Sequence, residues 1–430
     1  MAAQGPLGPP WRIMPNTMRP KSLSVFHEGY GLEALRKDAV AGLTVAIVAL
    51  PLSMAIAIAS HTPPQAGLYT AIVGGFLISL LGGSRFQIGG PAGAFIVLVA
   101  GIVDIHGFDG LVIATAMAGL IMVLGGLLRL GSLVHRVPHA VTVGFTAGIA
   151  VIIFASQIHD LLGLTLSETE PAAIMPKLAV LWGALPTLNL SAVFIAALTI
   201  AIIVACKMID ARLPSLLIAV VVASLLALGL GLDVETIGDR FGSIPSTLPL
   251  PSLPAATPER LWALLPSALS LALLGSIESL LSAVVADKMA NRQHRSNMEL
   301  VAQGVANIIT PMFGGITCTG TIARTATNVR AGAHGPVSGM LHALYLLLFM
   351  LLAAPLLLKI PLAALAGILA TVCYNMAGWH EIRQARTVEA ILVVLVTFLI
   401  TVFRDLIEGI AAGIIVYMAF ALWRRSKASP

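Results

Sequence analysis

Two ionisable residues of this sequence lie inside strongly apolar stretches. Glu278 lies in the run LLGSIESLLS at positions 273–282, and Arg324 follows the glycine- and threonine-rich run GGITCTGTIA at positions 314–323. Inserting a charged side chain into a membrane interior costs at least about 2.5 kcal/mol, so ionisable residues persist there mainly where they have a function. Ser282 comes one helical turn after Glu278 and shares its helix face. We therefore treat Glu278 and Ser282 as candidate coupling-ion residues and Arg324 as a candidate anion-binding residue.

The chemistry of the two charged residues leaves alternatives open. Glu278 is a candidate proton carrier, because an apolar environment penalises the charged form of a carboxylate. With neighbouring hydroxyl and carbonyl oxygens it is equally a candidate sodium ligand. A structural alternative is that Glu278 pairs with Arg324 and locks two membrane spans together. Arg324 would then neutralise Glu278 instead of attracting an anion.

Two glycine-rich segments of the sequence share a similar residue pattern. The first is GGSRFQIGGPAG at 82–93 and the second is GGITCTGTIART at 314–325, and each opens with two glycines and closes where a helix is expected to start. We predict that each contains an extended strand running to mid-membrane, followed by a half helix. Pro91 suits a first helical turn, where its missing N–H has no cost. A helix over 91–104 is only about 21 Å long, against a hydrocarbon core of about 30 Å.

Two such half helices in opposite orientations would point their N-termini at one place. Each N-terminus carries roughly half a positive charge and unpaired N–H groups, so together they favour an anion. Irregular backbone at that depth is tolerated only where it is packed in protein or lines a cavity. The alternative explanation is that the glycines merely permit close helix packing, but this does not account for their repetition.

Composition places these residues in a membrane protein. Of the 430 residues, 58% are hydrophobic and only 10% are charged, with a mean hydropathy of +0.95, whereas soluble domains are about a quarter charged. The net charge of +5 comes from Lys and Arg residues scattered between apolar segments, so nucleic acid is not an expected partner. We predict fourteen transmembrane segments, at 38–60, 64–83, 91–104, 108–130, 138–162, 188–206, 213–232, 259–284, 298–313, 322–333, 336–358, 360–378, 387–403 and 404–423.

The positions of the basic residues predict the orientation. With both termini cytoplasmic, most of the 25 Lys and Arg residues lie on the inner side, as the positive-inside rule requires. The outer side keeps Lys177, Arg240, Arg260, Lys359 and Arg404. This pattern predicts a multi-pass inner-membrane protein with both termini in the cytoplasm.

The segments divide at a proline-rich stretch. We predict a cytoplasmic N-terminal segment (1–37), a first repeat of seven spans (38–232), an external linker (233–258) and a second repeat of seven spans (259–424), followed by a short cytoplasmic tail (425–430). Because seven is odd, the second repeat is inverted relative to the first, as in many secondary transporters. The linker is expected to be extended and stiff. A short interfacial helix is expected at 174–181.

No sequence motif supports an enzyme. There is no Walker loop, zinc-protease helix or nucleophile elbow, and the three cysteines have no metal-site spacing. We therefore expect no cofactor and no metal, apart from a coupling ion, either a proton or sodium.

At several of these segments the sequence resembles the sulfate permease family, the bacterial relatives of solute carrier family 26. The resemblance covers nearly the whole chain and rests on DAVAGLT at 38–44 with Leu50 and Pro51, PQAGLY at 64–69, GGPAG at 89–93 and RTATNVRAG at 324–332.

The resemblance implies an all-α membrane fold of fourteen spans, divided into a core domain (spans 1–4 and 8–11) and a gate domain (spans 5–7 and 12–14). It implies an elevator mechanism, in which the core slides against the gate carrying the anion. It also implies a homodimer, helped by a C-terminal STAS domain that this sequence does not include. The implied pocket comprises Leu52, Ile56, Pro91, Ala92, Glu278, Ser282, Ala323, Arg324 and Thr325.

These observations predict a secondary active transporter of a small anion, with proton-coupled symport. The resemblance implies that the anion is sulfate, bicarbonate or a small dicarboxylate such as fumarate. Some relatives carry Asp, an apparent sodium ligand, at the position of Glu278, and the longer Glu favours protons over sodium. The alternatives are sodium-coupled bicarbonate symport and an uncoupled anion channel or exchanger.

Overall fold

The computed structural model describes residues 18–131, 138–167, 170–171, 173–210, 213–243, 245, 247–384, 387–404 and 406–428. Within these ranges the chain is built from helices and one very short strand pair. The α-helices, in chain order, are α1 (Lys21–His27), α2 (Leu32–Ala59), α3 (Pro64–Tyr69), α4 (Gly75–Leu81), α5 (Ile96–Leu127), α6 (His139–Leu162), α7 (Ile174–Ala184), α8 (Leu190–Ile209), α9 (Ser215–Gly229), α10 (Ile237–Phe241), α11 (Pro258–Ala290), α12 (Ser296–Ile309), α13 (Ile322–Arg330), α14 (Val337–Leu357), α15 (Leu362–Met376), α16 (Trp379–Gln384), α17 (Val388–Phe403) and α18 (Leu406–Ala428). The strands are β1 (Gly89–Gly90) and β2 (Thr319–Gly320).

Each of the fourteen predicted segments overlaps a helix. Seven helical stretches of the described chain are long and apolar enough to cross a membrane, and three shorter helices are also apolar. A π-helical turn at Thr70–Gly74 joins α3 to α4, so these form one continuous span. The number of crossings and the inverted repeat remain predictions, because several of the helices are shorter than a bilayer.

The third and fourth predicted segments meet at a break inside α5. Gly107 has φ +70° and ψ 177°, a backbone conformation that side-chain-bearing residues rarely adopt. The break lies where the sequence predicted the two segments to separate. The first part of α5 runs past the expected end at residue 104, so the half helix is displaced toward the C-terminus by a few residues.

The helices pack in two groups. In the first group α5 packs against α11 and α12, α14 packs against α2 and α4, and α13 packs against α11 and α2. In the second group α6 packs against α15 and α17, and α8 packs against α9 and α15. The seam between the groups is formed mainly by α2 against α9 and α15.

Two predicted connections differ from the structure. The linker at 233–258 is not wholly extended, because it contains α10, whose first turn is closed by reciprocal hydrogen bonds between Thr236 and Asp239. The Ser252 amide donates to the Met312 carbonyl at 2.8 Å, so the linker also lies against the first group of helices. Its residues 244 and 246 lie outside the described ranges. The predicted interfacial helix is present as α7 and extends three residues further, to Ala184.

The N-terminal segment is bound to the first group through α1. The Lys21 amide donates to the Gly82 carbonyl at 2.8 Å, and Arg85 forms an ion pair with Glu28. The hydrogen bond from Arg85 lowers the pKa of Glu28 below its usual range. Residues 1–17 of the predicted N-terminal segment, and residues 429–430 of the predicted tail, lie outside the described ranges.

Candidate functional site

The two glycine-rich segments meet in an antiparallel strand pair. Gly89 lies opposite Gly320 and Gly90 lies opposite Thr319. The Thr321 amide also donates to the Ile88 carbonyl at 3.0 Å. A helical segment starts just after each strand, at Gly93 and at Ile322. The prediction of two extended segments, each followed by a helix start, is confirmed, and the starts lie side by side.

The prediction that Pro91 occupies a first helical turn is wrong. Ala92 is still extended, with φ −119° and ψ 143°, and helical backbone begins with a 3₁₀ turn at Gly93–Phe95 before α5 starts at Ile96. Pro91 instead continues the strand direction, and its carbonyl is free to accept a hydrogen bond from Arg324 at 3.4 Å. The tertiary pairing of β1 with β2 therefore overrides the local preference of proline for a helix start.

In both strands a polar side chain fills the space beside a glycine. A Cβ placed on Gly90 would lie 2.1 Å from Nη1 of Arg324, and a Cβ placed on Gly320 would lie 1.6 Å from Nε2 of Gln87. Real Cβ atoms do not approach other atoms so closely. The glycines thus permit close packing, as the alternative explanation in the sequence analysis proposed. Their neighbours, however, are the polar side chains of Arg324 and Gln87.

Arg324 is the central charge of the site. It is the third residue of α13, its side chain is only 1% exposed, and Nη2 donates to the Ser53 hydroxyl at 3.1 Å. Its Nε and Nη1 atoms are buried and have no hydrogen-bond partner. A buried guanidinium with two unused donors is costly unless an acceptor joins it. These two nitrogen atoms are therefore donors that could bind the oxygen atoms of an anion.

Glu278 does not neutralise this charge. In the described residues no ion pair joins Glu278 to Arg324, which contradicts the hypothesis of a structural lock between their spans. Glu278 is half-buried on α11, and its Oε2 atom is buried without a hydrogen-bond partner. The carboxyl group is therefore available to bind a proton or another cation.

Ser282 and Thr325 are joined by a hydrogen bond. The Ser282 hydroxyl donates to the Thr325 hydroxyl oxygen at 3.2 Å, and that oxygen also accepts from the Ile88 amide at 3.1 Å. Both side chains are fully buried. These bonds tie α11 and α13 to the start of β1, so Ser282 and Thr325 position the site, and the Ser282 hydroxyl is directed to Thr325 and not to Glu278.

The other predicted pocket residues surround the helix starts. Leu52 and Ile56 are buried on one face of α2, and Pro91 and Ala92 are buried between β1 and α5. Ala323 is exposed at the start of α13. At the other helix start, Ile153 of α6 and Met376 of α15 lie 3.6 Å and 3.8 Å from the position of a Cβ on Gly93. The site thus faces the second group of helices.

Three residues of the site were not predicted from the sequence. Ser53 binds Arg324, and Thr321 precedes α13 with its hydroxyl buried and unpaired. Gln87 donates to the Ser279 carbonyl at 3.0 Å while its Oε1 atom has no partner. Threonine commonly precedes a helix as its capping residue, so the position of Thr321 beside the helix start could have been predicted from the sequence. No sequence pattern indicated Ser53 or Gln87. Only the fold brings Ser53 to Arg324 and Gln87 to β2.

The site combines a buried guanidinium with two neighbouring helix starts inside a largely apolar, helical protein. One buried cation and the N–H groups of two helix starts converge where no carboxylate of the described residues pairs with them. This arrangement is that of a membrane transporter. Residues 35–421 match the model of the sulfate permease family, and the chain belongs to that family. It is an anion transporter and not an enzyme.

Relatives of the chain are named as transporters of two different anions. It is 42% identical over 405 residues to the "Putative sulfate transporter YvdB" of Bacillus subtilis (strain 168), covering 94% of this chain and 76% of that protein. It is 32% identical over 405 residues to the "Bicarbonate transporter BicA" of Synechocystis sp. (strain ATCC 27184 / PCC 6803 / Kazusa), covering 91% of this chain and 70% of that protein.

Solved structures have the same fold. The transmembrane domain of a cyanobacterial bicarbonate transporter BicA matches with a TM-score of 0.80 and 31% identity, covering 89% of this chain and 98% of that chain. Murine Slc26a9, an anion transporter solved in the inward-facing state, matches with a TM-score of 0.84 and covers 95% of this chain and 71% of that chain. At 19% identity the second similarity concerns the fold alone.

Proposed function

We propose that this protein is a secondary active transporter that binds a small oxyanion or carboxylate at Arg324 and moves it across the membrane together with a proton. The observation that carries the proposal is the buried Arg324 guanidinium, which has two unpaired nitrogen atoms beside the β1–β2 pair. Planar or tetrahedral oxyanions match this fork of donors, which favours sulfate, bicarbonate and small dicarboxylates.

The proposed anion contacts come from both broken segments. Donors would be the free nitrogens of Arg324, the Thr321 hydroxyl and the amides at the two helix starts, while Leu52, Ile56, Pro91, Ala92 and Ala323 form the walls. Thr325 and Ser282 hold the half helix in position through their hydrogen bonds. Because Arg324 has no carboxylate partner among the described residues, a bound anion would compensate a charge that is otherwise buried alone.

Proton coupling is proposed through Glu278. Its Oε2 atom is buried and unpaired, and α11 packs directly against α13, which carries Arg324. An ionised Glu278 places a negative charge near the anion site, whereas a protonated Glu278 removes that repulsion. Anion binding therefore favours the protonated carboxyl, and the two ions are expected to move together.

The path of transport is proposed to be an elevator movement. The site belongs to the first group of helices and faces α6 and α15 of the second group across Gly93. Sliding one group against the other would carry the site between the two membrane faces. This proposal includes fourteen spans in two inverted repeats, cytoplasmic termini in a bacterial inner membrane and a homodimer.

Sodium-coupled bicarbonate transport is the second candidate. It is favoured by the similarity to BicA, which is named as a bicarbonate transporter. The half-buried carboxyl of Glu278, whose Oε2 atom has no partner, could hold sodium in place of a proton. An uncoupled channel or exchanger has no comparable support.

The proposal is tested by uptake into liposomes that contain the purified protein. Labelled sulfate, bicarbonate and fumarate are each offered under an inward proton gradient, an inward sodium gradient and no gradient. We expect accumulation of one of these anions against its own gradient only when protons are supplied. Accumulation driven by sodium would select the second candidate, and rapid flux that dissipates gradients without accumulation would indicate an uncoupled channel.

A further inference from the structure

A second ionisable side chain is buried behind the anion site and has no role in the function proposed above. His342 of α14 is 0% exposed, and neither of its ring nitrogens has a hydrogen-bond partner. Buried histidines normally donate one ring N–H and accept at the other nitrogen. Unpaired buried polar groups are rare in native proteins and call for an explanation.

His342 lies close to the strand that separates it from Arg324. A Cβ on Gly75 of α4 would lie 2.9 Å from the Gly89 carbonyl oxygen and 3.8 Å from Cε1 of His342. Gly90 is the next residue of the strand. A Cβ placed on Gly90 would lie 2.1 Å from Nη1 of Arg324. The imidazole thus lies near the Gly89 side of the β1 backbone, and the guanidinium lies beside Gly90.

None of the other charged and titratable groups described on α14 or on the helices packed against it pairs with His342. The helices packed against α14 are α2, α3 and α4. The charged and titratable residues of α2 are Glu33, Arg36, Lys37 and Asp38. The span formed by α3 and α4 carries Tyr69, and α14 itself also carries Tyr345. Asp38 is the nearest carboxylate along α2, but it already accepts from the His334 and Gly335 amides and from the Tyr30 hydroxyl.

We propose that His342 is a proton-binding site whose occupancy is linked to that of the anion site. The proposal rests on the function proposed above and adds a second proton acceptor to it. Two positive charges in one poorly polarisable core repel each other. A bound anion at Arg324 offsets that repulsion, so the anion favours a proton on His342. By reciprocity, a proton on His342 strengthens anion binding by the same factor.

This linkage differs from that of Glu278 in its chemistry. Protonation of Glu278 removes a negative charge near the anion, whereas protonation of His342 adds a positive one. Each linked proton can change the apparent anion affinity by up to about tenfold per pH unit. If both sites act, one anion is accompanied by up to two protons, which would make carriage of a divalent anion electroneutral.

The test counts the protons taken up when an anion binds to the purified full-length protein. Sulfate, and in parallel fumarate, is added to protein in weakly buffered detergent solution containing a pH indicator. We expect net proton uptake by the wild type and a reduction of up to one proton per bound anion in His342→Gln. The matched control is His334→Gln, the same change at an exposed histidine, and it should take up as many protons as the wild type.

Equal proton uptake by His342→Gln and the wild type, with anion still bound, would overturn this inference and leave the proposed function intact. Sulfate or fumarate binding to the wild type without any proton uptake would overturn the proton coupling itself, and the role of His342 with it. His342→Asn, a smaller neutral side chain, replaces His342→Gln if that variant is not recovered as monodisperse protein.

Discussion

Arg324 on α13 donates a hydrogen bond to Ser53 on α2 at 3.1 Å, although 271 residues separate the two along the chain. Through this contact α2 and the half helix α13 become walls of one site. The bond uses only one of the guanidinium nitrogens, and Nε and Nη1 remain unpaired. The donors that are left over give the site its proposed affinity for an anion.

Replacing Arg324 with alanine should weaken anion binding by about 10- to 100-fold, because hydrogen bonds to a charged group contribute about 1.5–3 kcal/mol. Binding of labelled sulfate or bicarbonate to the purified protein measures the effect. Arg330→Ala is the control, since Arg330 lies exposed at the other end of the same helix. An unaltered binding constant in Arg324→Ala would assign the residue a purely structural role.

Replacing Glu278 with glutamine should abolish proton-driven accumulation while the protein still folds and exchanges anion across the membrane. The amide has the shape of a protonated carboxyl but cannot release a proton. Uptake is measured in liposomes with and without a proton gradient. Glu259→Gln makes the same change at an exposed position in the first turn of the same helix and should behave as the wild type. Persistent pH-driven accumulation in Glu278→Gln would exclude the carboxyl from coupling.

Replacing Gly90 with alanine should disturb the site by displacing the Arg324 guanidinium, since the new Cβ would lie 2.1 Å from Nη1. Overpacking of this kind costs about 1–3 kcal/mol. We expect a lower thermal midpoint together with anion binding at least tenfold weaker. Gly125→Ala is the control, because a Cβ at Gly125 meets nothing within 4 Å. Normal anion affinity in Gly90→Ala would show that the guanidinium position is not critical.

Replacing Glu299 with alanine should destabilise the protein by about 2–4 kcal/mol, because it leaves buried amides without their charged acceptor. Oε2 of Glu299 accepts from the Gly83 and Ser84 amides at 2.8 Å and 2.9 Å, at the start of the first glycine-rich segment. Thermal unfolding in detergent measures the loss. Glu33→Ala, at a highly exposed position, should leave the midpoint nearly unchanged. Equal midpoints for the two variants would contradict the anchoring role.

Acidification should loosen α1 from the rest of the protein. The hydrogen bond from Arg85 lowers the pKa of Glu28 from its usual 4.5, so the folded state binds this proton less readily than the unfolded chain. Its contribution to stability is therefore present above pH 4.5 and is lost as the pH falls through the lowered pKa. Because the Glu28 side chain is 55% exposed, solvent screening limits the effect to about 1 kcal/mol at most. Hydrogen exchange of α1 between pH 7 and pH 4 measures it, and Glu28→Gln should remove the difference.

Much of the helical structure could be predicted from local sequence. Runs of apolar residues correspond to helices because only a helix satisfies its own backbone in a membrane, and each predicted segment overlaps one. The predicted bounds of the third and fourth segments, 91–104 and 108–130, leave a gap that contains Gly107, where the structure has its break. The candidate residues Glu278 and Arg324 were predicted because isolated charges stand out against an apolar background.

Long-range packing decided the arrangement of the site. Local preference placed Pro91 in a helix, but pairing of Gly90 with Thr319 kept the chain extended beyond it. Spacing allowed Glu278 to pair with Arg324, whereas the fold directs Arg324 to Ser53. Sequence patterns report burial and backbone preference over a few residues, and these determined the spans and the two half helices. Which side chains meet across hundreds of residues depends on how the helices pack, and only the tertiary structure decided that.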